Sequence, residues 1–207
     1  MALKTFVKIS DISNLSDARY CAGMGVDVLG FRLDPNDPNS VDTAKFKSIT
    51  EWIAGVGFAG EFYQSDVQTV KEVAKRYHLS YLQIIPANFT HEIIDLKIPL
   101  IIEVKLVSNS SEEGLRDFMT QALPHVEFFL IHADDEALAE NFLPTIKKLS
   151  TDFPLLLGCG ITQDNINEII ATSSIKGIGM KGSEEIKPGF KDYDELADIL
   201  QEIEEEV

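Results

Sequence analysis

Short apolar runs alternate along the whole chain with stretches of helical periodicity. The runs cover residues 5–9, 26–31, 56–62, 81–85, 100–106, 126–131, 155–157 and 175–180. They lack the polar–apolar alternation of a half-exposed sheet, which is the pattern of parallel strands buried beneath helices. Between them, Leu15, Ala18, Cys21 and Ala22 share one helical face, and Gly25 ends that helix. Residues 43–53 turn Phe46, Ile49, Trp52 and Ile53 inward, and residues 66–77 do the same with Val67, Val70, Val73 and Ala74. Further helices are expected over 111–123, started by Ser110 or Ser111 with acids in the first turn, over 136–149 and over 192–205. A weaker helix is expected at 91–96, and residues 162–172 separate the last two strands. Strict alternation at roughly 25 residues per unit implies one parallel sheet. The expected fold class is therefore α/β, a single-domain (βα)8 TIM barrel over residues 1–207, at the small end of that architecture. A doubly wound open sheet is the alternative.

Composition narrows the functional classes. A net charge of −16 leaves no basic stripe to displace phosphate counterions, so nucleic acid is not an expected partner. The same charge gives no long-range steering to an anionic ligand, so a phosphate would need local donors. Glu202, Glu204, Glu205 and Glu206 read as a solvated helix end. Cys21 and Cys159 are too few for a disulfide framework and are expected as free thiols in a reducing cytosol. The N-terminal residues carry no signal-peptide pattern, and no run approaches the roughly 20 apolar residues of a membrane span, so a soluble cytoplasmic protein is expected. His78, His91, His125 and His132 have no ligand spacing, so no metal is expected.

The candidate chemistry lies at strand ends. Pro154 to Thr162 and Gly177 to Ser183 are apolar runs that stop at glycines and then open what reads as a helix. Glycines there let backbone N–H groups approach an anion, and a following helix N-terminus adds a favourable dipole. Gly158, Gly160, Lys181, Gly182 and Ser183 are thus candidate phosphate ligands, although Glu184 and Glu185 would repel an anion. Lys8, Arg32, Glu61, Gln83, Glu103 and Lys105 also fall near strand ends, and Lys8, Arg32, Gln83 and Glu103 are candidate ligand contacts there. Buried charges there need partners, and a Lys8–Glu103 or Glu61–Arg32 pair is the structural expectation.

Several ordered motifs resemble the phosphoribosylanthranilate isomerase family. Lys8-Ile9-Ser10-Asp11-Ile12-Ser13-Asn14-Leu15 is similar to that family's opening Lys-Ile-Cys-Gly-Ile-Thr-Asn-Leu. Gly25-Val26-Asp27-Val28-Leu29-Gly30-Phe31, Gly60-Glu61-Phe62 through Leu82-Gln83, Leu157 to Asn165, and Pro188 to Asp192 follow its later motifs in order. The resemblance implies a (βα)8 barrel of tryptophan biosynthesis catalysing an Amadori rearrangement. In that reaction a cysteine thiolate removes a proton from the sugar's second carbon, and a carboxylic acid protonates the ring oxygen. The cysteine position is Ser10 here, and the acid position is His132, with Asp134 two residues beyond. The family's carboxylate-binding arginine aligns with Asn39, and its histidine after the fourth strand aligns with Ile85. The resemblance therefore implies a phosphorylated small-molecule ligand, no cofactor, and a monomer or homodimer, with isomerisation in doubt. An active isomerase using Ser10 with His132 or Asp134 is the alternative, and a non-catalytic binding or assembly subunit is a further one.

Overall fold

The computed structural model describes residues 2–182, 185–187, 190–191 and 194–205, apart from the side chains of residues 183–195. The strands are β1 (Phe6–Ser10), β2 (Val28–Arg32), β3 (Gly57–Phe62), β4 (Tyr81–Ile84), β5 (Leu100–Lys105), β6 (Phe128–His132), β7 (Leu155–Leu157) and β8 (Gly177–Lys181). These eight close into a barrel in sequence order, which overturns the open-sheet alternative. All neighbours are parallel, and β8 returns to β1 with Lys8 opposite Gly179 and Ser10 opposite Lys181.

The helices are α1 (Leu15–Gly23), α2 (Thr43–Thr50), α3 (Val67–Ala74), α4 (His91–Ile94), α5 (Glu112–Ala122), α6 (Glu136–Leu149), α7 (Ile166–Thr172) and α8 (Asp194–Glu202). Five of them begin at a side chain that accepts from the first turn: Asn14, Asp42, Asp66, Ser111 and Asp135. Each cap satisfies a backbone donor that the helix cannot, a contribution of about 1 kcal/mol. Gly25, at φ 80°, follows the first helix in the left-handed conformation expected of a helix-ending glycine.

Two differences from the sequence expectation concern local packing. Helix α2 stops at Thr50, so Trp52 lies beyond it, 67% exposed, with the Arg19 guanidinium 5.8 Å from its ring. Periodicity extended past a helix end therefore misplaced one large side chain. The glycine run at the end of β8 does not open a helix directly. A two-stranded antiparallel ribbon, β9 (Glu185–Lys187) and β10 (Phe190–Lys191), comes before α8.

The barrel wall sorts its residues by strand parity. Val7, Ile9, Leu29, Phe31, Ile102, Val104, Phe129 and Ile131 belong to the large outer core beneath the helices. Ile101, Leu130 and Leu156 form a separate inner cluster with Phe6, Tyr81 and Phe128 packed against it. Two residues farther along the same strands stand Lys8, Gln83, Glu103, His132 and Gly158. The interior is thus an apolar plug below and polar above, at the C-terminal strand ends where barrels of this architecture carry their sites. The termini close the bottom seam, with Lys4 N donating to Ile203 O (2.8 Å) and Glu205 N to Ala2 O (2.9 Å).

Candidate active site at the barrel mouth

Lys8 is fully buried, and its ammonium has two partners. Nζ forms an ion pair with Glu61, equally buried, and donates to Ser10 Oγ at 2.6 Å. The second Glu61 oxygen accepts from the Asp11 backbone N–H at 3.2 Å. Gly30 makes room for this pair, because a Cβ there would lie 2.0 Å from Glu61 Oε1 and 2.9 Å from Lys8 Nζ. Strand β1 carries the cation, β3 the carboxylate and β2 the gap between them.

Asp11 leaves β1 at φ 61°, a conformation that costs a residue with a Cβ about 1–2 kcal/mol. The family motif has glycine at this position. The aspartate's carboxylate is bidentate to Arg32, with Nε and Nη2 each at 2.9 Å, while Arg32 Nη1 bonds Asp37 at 3.0 Å. The guanidinium also lies 5.2 Å from the Tyr63 ring centre. Burial, then the nearby Glu61 charge, raise the Asp11 carboxyl above its ordinary value, against the pull of Arg32. The expected Lys8–Glu103 and Glu61–Arg32 pairs are therefore both replaced. The register brings Lys8 to Glu61, and the turn after β1 brings Asp11 to Arg32.

A second network joins β3, β4 and β5. Gln83 Nε2 donates to Tyr63 OH at 3.1 Å and to Glu103 Oε2 at 2.7 Å. Tyr63 is set in place by Asp34, whose buried carboxylate accepts from the N–H groups of Tyr63, Gln64 and Ser65. Burial, followed by the Glu61, Glu103 and Asp11 charges, raises the Tyr63 phenol well above its ordinary value, so it stays neutral. Glu103 is raised as well, first by burial and then by Glu61.

His132 ends β6 with Nε2 3.0 Å from Asp134 Oδ1 and Nδ1 3.3 Å from the Gly158 carbonyl. A ring N–H can serve either contact, and only the doubly protonated ring serves both. Asp134 is 63% exposed and ion-paired with Lys105. The Lys105 hydrogen bond holds its carboxyl below the ordinary range, the reverse of what a general acid needs.

The glycine wall has a packing origin. A Cβ at Gly158 would meet the Ile131 carbonyl at 2.8 Å, and one at Gly179 would meet Leu130 Cδ1 at 2.5 Å. The N–H groups of Gly158 and Gly182 donate to Ile131 O (2.7 Å) and Ser10 O (2.8 Å), extending the sheet. Gly160 sits at φ 66°, and its carbonyl accepts from Asn165 Nδ2 at 2.9 Å. Lys181 is exposed at the rim, while Ser183 lies outside the described residues, as do Glu184, Pro188, Gly189 and Asp192. Cys159 between the glycines has its thiol pushed up to about 11 by burial, so it is not a ready nucleophile.

The structure thus brings together Lys8, Ser10, Gln83 and Glu103, and sets His132 beside Gly158. Sequence reasoning did not single out Asp11, Asp37 or Tyr63. Asp11 carried a readable signal, an acid where the family motif has glycine, while the roles of Asp37 and Tyr63 depend on contacts between loops.

The molecule is a closed (βα)8 barrel with titratable groups gathered at the C-terminal strand ends, the class of barrel in which enzymes place their sites. Comparison with known proteins sharpens that class. A family model described as N-(5'-phosphoribosyl)anthranilate (PRA) isomerase matches residues 7–202. The N-(5'-phosphoribosyl)anthranilate isomerase of Maridesulfovibrio salexigens is 24% identical over 94% of this chain and 96% of its own. Among solved structures, a phosphoribosyl anthranilate isomerase in complex with reduced 1-(o-carboxyphenylamino)-1-deoxyribulose 5-phosphate matches with a TM-score of 0.68 and 22% identity, covering 96% of this chain and 98% of that one. Monomers of the dimeric enzyme from Thermotoga maritima match with a TM-score of 0.67 and 22% identity, at the same coverage of both chains. The chain belongs to the phosphoribosylanthranilate isomerase family of tryptophan biosynthesis.

Proposed function

We propose that this chain is a single-domain, cytoplasmic member of the family that binds a phosphorylated small molecule without performing the family's isomerisation. One observation carries the reading. Ser10 stands at the position of the family's cysteine base, and its oxygen accepts a hydrogen bond from the Lys8 ammonium. An ammonium paired with Glu61 offers only donors, so it cannot take the serine proton. The Ser10 hydroxyl meets no other hydrogen-bonding partner among the described residues, and an unactivated hydroxyl is a far weaker base than a thiolate. Loss of the base alone costs orders of magnitude in rate.

Phosphate binding is supported by the turn through Gly160 after β7 and the rim Lys181, together with a relative's structure that holds a ribulose 5-phosphate derivative. Assembly as a monomer or homodimer follows the range in the family, since a dimeric relative has been obtained as monomers. The test is direct. Purified protein mixed with phosphoribosylanthranilate should give no turnover by loss of substrate fluorescence, while the reduced ribulose 5-phosphate derivative should raise the melting temperature. Isomerisation at an ordinary enzyme rate would overturn the proposal. In that event His132, held between Asp134 and the Gly158 carbonyl, is the group to mutate first.

A further inference from the structure

Three cations of the mouth are already committed to carboxylates. Lys8 is taken by Glu61, Arg32 is shared between Asp11 and Asp37, and Lys105 is paired with Asp134. Glu103 has no cation within ion-pair reach among the described residues. Its Oε2 is held by Gln83, and Oε1 has no hydrogen-bond partner there. Beside it lies a buried unsatisfied acceptor. Gln83 is fully buried, its Nε2 serves Tyr63 and Glu103, and its Oε1 meets no partner. A buried acceptor left without a donor costs about 1–3 kcal/mol, so Gln83 Oε1, beside the half-buried Glu103 carboxylate, calls for a donor group.

We infer that Glu103 and Gln83 form an ammonium-recognition point at the centre of the mouth, so that the ligand is a small amine, or an amine phosphate, rather than a neutral polyol. The donor count discriminates between these classes. A hydroxyl offers one proton and no charge, whereas a primary ammonium offers three protons, enough for Gln83 Oε1 and the Glu103 carboxylate together, and a counter-charge for a carboxylate that makes no ion pair of its own. The whole-chain charge of −16 draws cations toward the mouth. A phosphate at the far end of the ligand would fall to the rim Lys181. That part rests on the function proposed above, and the amine part does not.

The test uses four small probes on the full chain: ethanolamine, ethylene glycol, phosphoethanolamine and 2-hydroxyethyl phosphate. Binding is read by calorimetry and by the carboxyl shift of Glu103 in protein labelled with carbon-13 glutamate. Each amine should bind roughly tenfold or more tightly than its hydroxyl counterpart, the scale of one charge-assisted hydrogen bond. Glu103→Gln, nearly isosteric and checked for fold by circular dichroism, should abolish the difference. Equal binding of amine and hydroxyl would overturn the inference. It would fit a Gln83 amide turned over to accept from Tyr63 and a protonated Glu103. An amine preference that survives in Glu103→Gln would overturn it as well. An amine preference with no gain from phosphate would leave this inference standing and remove the phosphate from the proposed function.

Discussion

The two sides of the barrel mouth are built on different principles. From β1 to β5 the mouth carries charged and polar side chains held by named partners: Lys8 by Glu61, Arg32 by Asp11 and Asp37, Gln83 by Tyr63 and Glu103. From β7 to β8 the inward positions are glycines, with Gly158 and Gly179 pressed against Leu130 and Gly177 against the Phe6 carbonyl. The first side is electrostatic and specific to this chain, since Ser10 and Asp11 replace two adjacent residues of the family motif. The second is steric, set by the lack of a side chain at Gly158, Gly177 and Gly179. One side is therefore held by charge and hydrogen bonds, the other by close backbone approach.

The largest test of that contrast is to remove one charge from the polar side. Glu61→Gln leaves the Lys8 ammonium buried without its counter-charge, which should cost about 3–5 kcal/mol in urea unfolding. Replacing both by apolar residues of similar size should cost much less, because no orphan charge remains. If the single variant were as stable as the parent, the ion pair would not be the organising contact of this side.

On the glycine side the expected effect is steric. A Cβ at Gly177 would lie 2.0 Å from the Phe6 carbonyl oxygen, backbone that cannot swing away. Gly177→Ala should cost about 2–3 kcal/mol by forcing β1 and β8 apart, read as a lower melting temperature. An unchanged melting temperature would mean that the seam is looser than its register implies.

The smallest effect is electrostatic and depends on pH. Burial raises the Glu103 carboxyl above its ordinary 4.5, so the folded state holds that proton more tightly than the unfolded chain. The resulting stability is full below 4.5 and is lost as pH rises through the folded value. Glu103→Gln has no proton to lose. Its melting temperature relative to the parent should therefore shift upward between pH 4 and pH 7. A constant or reversed difference would show Glu103 to be better solvated or better paired than its surroundings indicate.

Much of this architecture was legible in the residues. Residues 136–149 and 155–157 were read with the bounds the structure has, because a long amphipathic period and an unbroken apolar run each admit one interpretation. The locations of Lys8, Gln83, Glu103 and His132 near strand ends were readable for the same reason. Their partners were not. Pairing Lys8 with Glu61 rather than Glu103 depends on which strands adjoin in a closed barrel and on the space that Gly30 leaves, neither of which is local. Trp52 was misplaced because a helical period does not announce the turn where it ends.

The sequence alone determined the alternation of strands and helices and the strand ends that carry polar side chains. These follow from periodicity and residue identity, which are local properties of the chain. The tertiary structure decided which charges neutralise each other, which glycines exist for packing, and which acceptors remain unsatisfied at the centre of the mouth. Those outcomes depend on distances between residues far apart in sequence, set only when β8 closes on β1.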